Sequence, residues 1–110
     1  MSKRIKRNLP LLKALTSLKP AERRSFLCQG PDDLILTLCE IALNVLKGNI
    51  PLTSAQYSRL RKEKKIIKLF ADPKGPMKRK RKVLTQSGGF LLPLLGAAIP
   101  FLTSLFSRRQ

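Results

Sequence analysis

An all-α fold is predicted for this chain of 110 residues. Three observations predict it: a 3.6-residue apolar period over residues 32–47, helix-start chemistry ahead of that stretch and of the next one, and glycine or proline stops after each. The expected architecture is a small helical unit of two short and two longer helices over 8–72. A basic arm, 1–7, precedes it; a basic, glycine-containing linker, 73–89, and an apolar helical tail, 90–110, follow.

Residues 1–7 carry four cations with only Met1 and Ile5 as apolar anchors, so a mobile arm is expected. Asn8 reads as a cap with Pro10 in the first turn, and Leu11, Leu12, Leu15 and Leu18 then fall along one side of a short helix, about 9–18. Lys19-Pro20 restarts the chain. A second short helix turns Phe26 and Leu27 inward, and Gly30 ends it. Pro31-Asp32-Asp33 then sets carboxylates at the positive end of a helix dipole, and Gly48 stands where a left-handed C-cap is wanted. Between them, Asp33, Thr37, Glu40, Asn44 and Lys47 form one thin polar stripe on an apolar cylinder, so this helix should be nearly surrounded by others. Thr53 and Gln56 make a capping box, with Leu52 and Tyr57 placed for the hydrophobic staple across it. One helix, about 54–71, is expected to turn Tyr57, Leu60, Ile67 and Phe70 to the core and its cations outward. Asp72-Pro73 stops it, and Lys74-Gly75-Pro76 is a hinge.

The 23 Lys and Arg against 6 Asp and Glu leave a net charge of +17, far more than solubility requires. Self-repulsion of that size opposes compactness until a polyanion neutralises it. Twelve of the cations lie between Arg59 and Lys82 and eight between Lys3 and Arg24, a clustering that points to nucleic acid or an anionic membrane. Cys28 and Cys39, with no histidine, are too few for a disulfide scaffold or a zinc site and are expected as buried thiols. No metal, cofactor or catalytic residue is expected, for there is no acid–base pair and no phosphate loop. Pro10 and Lys13 interrupt the apolar run after the first cations, so no secretory leader is expected.

Arg59, Arg61, Lys62, Lys65 and Lys68 on one helix face, and the run Lys78, Arg79, Lys80, Arg81 and Lys82, are the candidate nucleic-acid contacts. Such cations gain affinity by releasing counterions from phosphates and need no base contact. The aromatic residues of this region, Tyr57 and Phe70, are expected in the core, so little sequence preference should follow. The run 78–82 also has the composition of a nuclear localisation signal. From Phe90 the tail offers Leu91, Leu92, Leu94, Leu95, Ile99, Phe101, Leu102, Leu105 and Phe106 to a membrane, a capsid protein, another copy or the helical unit itself, with Arg108-Arg109 as an interfacial anchor. Gly88-Gly89 between the two halves reads as flexible, extended backbone open to a protease.

A Lys/Arg cluster, then Gly-Gly, then a Leu- and Ala-rich tail containing proline resembles adenovirus core protein X, the precursor of the DNA-condensing peptide mu, over about residues 77–106. Most of the chain is similar to the X-type proteins of adintoviruses and Polintons, in which a basic helical unit precedes Gly-Gly-Phe-Leu and an apolar end. The resemblance implies a virion core protein that neutralises packaged DNA in the virion and the host nucleus, with processing after Gly89. Gln86 stands where that family's protease favours an aliphatic residue. The expected function is therefore nonspecific DNA binding through phosphates by a non-enzymatic virion protein whose tail contacts capsid or membrane. The alternative is a membrane-active viral protein whose cations select anionic lipid.

Overall fold

The structure is a computed structural model that describes residues 2–107; Met1, Arg108, Arg109 and Gln110 lie outside the described residues, and with them the Arg108-Arg109 anchor. Among the described residues the chain forms seven α-helices and one 3-10 turn, with no strand. The all-α expectation holds, while several boundaries move.

The first helix, α1, covers Lys3–Ser17 and so takes in most of the expected arm. Its start is Ser2, whose Oγ accepts from the Ile5 amide, not Asn8. The reason lies 25 residues downstream. Asp33 accepts from Arg4 Nε at 3.1 Å, from Arg7 Nη2 at 3.1 Å and from Asn8 Nδ2 at 2.8 Å, the Ser2 amide donates to Glu40 at 3.2 Å, and Ile5 is fully buried. These contacts hold a helix through Pro10, which sits in its interior at the loss of one backbone hydrogen bond.

The hydrogen bond from Asn8, then that from Arg7, holds the Asp33 carboxyl below its ordinary value of 3.8. A depressed folded value stabilises the fold above the ordinary value, and that contribution is lost as pH falls through the lower folded value. The Asp33→Asn variant is therefore expected to be less stable than the parent at neutral pH and to converge with it in strong acid. Circular dichroism melts across pH check this; a difference that does not change with pH contradicts it.

The second helix, α2 (Pro20–Gln29), has proline at its start and Glu22 accepting from the Lys19 amide at 3.0 Å. It buries Leu27, but Phe26 and Cys28 stay exposed, against expectation. α3 (Asp32–Leu46) is the central helix, with Leu34, Ile35, Leu38, Ile41 and Ala42 fully covered. The first part of its polar stripe, Asp33, Thr37 and Glu40, faces α1 and its cap: Thr37 is buried and its Oγ1 accepts from Asn8 at 2.9 Å, whereas Lys47 at the far end is exposed. Gly48 has φ +79, the left-handed conformation that a side chain would resist.

The expected helix 54–71 divides into α4 (Ser54–Arg61) and α5 (Lys64–Ala71). The Thr53–Gln56 capping box opens α4 as expected. The break at Lys62-Glu63 lets α4 lie on the C-terminal helix while α5 lies on α3, two directions that one straight helix cannot follow. Residues 77–86, expected as linker, form α6 (Met77–Gln86), packed on α2, α3 and α5. After the 3-10 turn Gly88–Phe90, α7 (Leu91–Ser107) packs on α1, α3 and α4.

The tail is thus a core element of the same body. Phe90, Leu91, Leu94, Leu95, Ala98 and Leu102 are buried, and the Phe90 ring lies 5.7 Å from that of Phe70. At about 1.5–3 kcal/mol for each large apolar side chain, this burial is worth on the order of the 5–15 kcal/mol that holds a whole domain together. A chain cut after Gly89 would not keep this fold.

Candidate nucleic-acid interface

The cationic surface follows from which side of each helix the core claims. On α5 the core takes Ile67, Phe70 and Ala71, which leaves Lys65 and Lys68 one turn apart on the outer side. Arg59 and Arg61 on α4, and Lys62 at the break, are likewise exposed, and Lys64, absent from the candidate set, joins them. On α6 the inward face is Met77, Lys80, Val83 and Leu84, so Lys78, Arg79 and Lys82 point to water. Because α5 packs against α6, the two sets lie on neighbouring helices. The ion pairs among the described residues join Arg4 and Arg7 to Asp33 and Arg81 to Asp32; they spend none of the cations just named.

Two of the expected contacts are corrected. Lys80 is 2% exposed, and its Nζ donates to the Phe70 carbonyl at 2.8 Å and the Asp72 carbonyl at 2.6 Å. The ammonium closes the C-terminal end of α5, where the free carbonyls concentrate negative charge, and lies 5.8 Å from the Phe70 ring centroid. Arg81 does the same for α2: its guanidinium donates to the carbonyls of Leu27 at 3.0 Å and Gly30 at 2.7 Å and pairs with Asp32 at 2.6 Å. Both side chains are used inside the protein, which leaves Lys78, Arg79 and Lys82 as the exposed cations of the run. The spacing of Met77, Lys80 and Leu84 along one helix face carried that signal, but it is visible only once 77–86 is read as helix.

Beside Lys80 the Cys39 thiol donates to the same Phe70 carbonyl at 3.3 Å. Burial pushes this thiol above its ordinary value of 9.0, against the opposing pull of the Lys80 charge. It is therefore a packed, protonated group at neutral pH.

The expected apolar contact set is divided by α7. Phe90, Leu91, Leu94, Leu95 and Leu102 face the core, Ile99, Phe101, Leu105 and Phe106 are half-buried, and Leu92 is 43% exposed. By length and composition Gly88–Ser107 could cross a bilayer, but here its inner side is core. Gly88 and Gly89 are in the 3-10 turn rather than extended, because buried Phe90 anchors the chain immediately after them. An added Cβ would meet nothing within 4 Å at either glycine, so the fold itself does not require the pair. Tyr57, expected in the core, is 55% exposed, whereas Phe70 is buried as expected.

Comparison with protein-family models, with curated proteins and with solved structures gives no match.

Proposed function

We propose that the protein binds DNA nonspecifically through its phosphates, as a virion core protein, with Arg59, Arg61, Lys62, Lys65, Lys68, Lys78, Arg79 and Lys82 as the contacts. The observation that carries this reading is that these eight cations are all exposed, seven of them on helices whose opposite faces are core and Lys62 at the break between two such helices, and take part in none of the ion pairs among the described residues. Exposed like charges held on one rigid body repel one another until a polyanion replaces their counterions. The virion assignment, and with it location in the particle and the host nucleus, rests on the Lys/Arg cluster, Gly-Gly and apolar tail that resemble the X-type core proteins. Contact with capsid protein, membrane or a second copy falls to the outward side of α7, where Leu92, Gly96 and Pro100 are exposed.

The membrane-active alternative draws on the absence of any charged residue from Val83 to Ser107. The test uses the full chain, since the tail belongs to the core: duplex DNA of several sequences is titrated across salt, with anionic vesicles as competitor. DNA binding is expected to be independent of sequence and to weaken by a slope of about −0.9 in log K per log salt for each phosphate engaged. A flat salt dependence, or capture by vesicles that persists in high salt while DNA is released, favours the membrane reading instead.

A further inference from the structure

Tyr57 is the single tyrosine of a chain without tryptophan, and more than half of it is open to solvent. The ring lines two depressions that share Leu46 and Leu52: a groove of about 220 Å³ edged by Arg61 and Lys64, and a shallower hollow running past Gly48 and Ser54. Leu52, the residue placed for the staple, lines both depressions together with the ring, which remains largely open to solvent. The groove is smaller than the roughly 300–1,000 Å³ that holds a small-molecule ligand, but its open side can admit one flat ring. Arg61 follows Tyr57 by four residues and so shares its side of α4, while Lys64 begins α5 beyond the break.

We propose that Tyr57, with Arg61 and Lys64, is a stacking site for an unpaired base of a single-stranded nucleic acid. The chemistry is that of a π-face between cations: the base lies on the phenol ring, and the phosphates on either side of it meet the guanidinium and the ammonium. Charge selects the occupant, because an uncharged aromatic partner would leave both cations unanswered. A duplex keeps its bases stacked on one another and uses only the cations. This inference rests on the phosphate-binding reading above and adds to it a preference for single strands.

The experiment compares the full chain binding a short oligothymidylate, an abasic strand of equal length and a duplex, read both by anisotropy and by the emission of Tyr57. The base-bearing strand is expected to bind about tenfold more tightly than the abasic one, a gain of about 1.4 kcal/mol within the range known for one stacked base, and it alone should quench the tyrosine. Tyr57→Leu keeps an apolar partner for Leu52 but removes the π-face; it should bring the oligothymidylate down to abasic affinity and leave duplex binding within about twofold. Tyr57→Phe should keep the preference. If Tyr57→Leu does not fold, quenching and the abasic comparison in the parent still decide. Equal affinity for base-bearing and abasic strands without quenching overturns the stacking site and leaves phosphate binding intact. Failure of every strand to bind at low salt overturns the phosphate-binding reading and this one with it.

Discussion

Replacing Lys80 by methionine is expected to lower the melting midpoint by about 10 °C, whereas Lys78→Met and Lys82→Met should leave it nearly unchanged. Methionine fills much of the same volume, so the effect isolates the ammonium. Without it the Phe70 carbonyl keeps only the Cys39 thiol at 3.3 Å, a weak donor, and the Asp72 carbonyl loses its 2.6 Å partner. An unpaired buried acceptor costs about 1–3 kcal/mol. Asp72 is exposed and water can answer part of its loss, so the total for the two carbonyls should fall in the upper half of that range, about 2–3 kcal/mol. For a domain of this size each kcal/mol moves the midpoint by about 4 °C. Thermal melts of the three variants decide the matter: equal midpoints would mean that Lys80 is one more surface cation. Lys80→Met should also retain the parent's salt slope for DNA, which separates its structural part from binding.

Removing Arg61, Lys62, Lys65 and Lys68 together, each to glutamine, is expected to reduce the slope of log affinity against log salt by about 3.6, four contacts at about 0.9 each. Affinity for duplex DNA at moderate salt should fall by about a hundredfold or more. The four side chains are exposed and their helices are held by the opposite faces, so far-ultraviolet circular dichroism should not change. Stability should hold or rise as self-repulsion is relieved. Anisotropy titrations across salt measure the slope. An unchanged slope would place the DNA contacts elsewhere on the surface, and a collapse of the helical signal would mean that these cations serve the fold.

How far each element could be read from sequence follows the distance over which it is specified. The central helix was plain because its signals, Pro31-Asp32-Asp33, the apolar period and Gly48, lie within the helix or no more than two residues beyond it. The Thr53–Gln56 capping box was plain for the same reason. By contrast, α1 begins at Ser2 only because Asp33 and Glu40 collect Arg4, Arg7, Asn8 and the Ser2 amide, and those carboxylates are remote in the chain. The division of 54–71 was hidden too, since it depends on α4 and α5 having different partners.

The candidate site divides in the same way. Composition identified a surface rich in cations, and eight of the ten cations named from sequence are exposed. Lys80 and Arg81 are not distinguishable from their neighbours by residue type; what removes them is a pair of helix C-termini, those of α5 and α2, that folding brings to them. Tyr57 was misplaced for the converse reason, because helical spacing gives a residue's side but not whether a neighbour covers it. The sequence by itself determined the all-α class, the central helix, the helix caps and the excess of positive charge, since periodicity, capping and charge act over a few residues. Tertiary structure alone decided which cations remain free, that the apolar tail is core, and that one aromatic ring stays open, because each depends on groups far apart in the chain meeting in space.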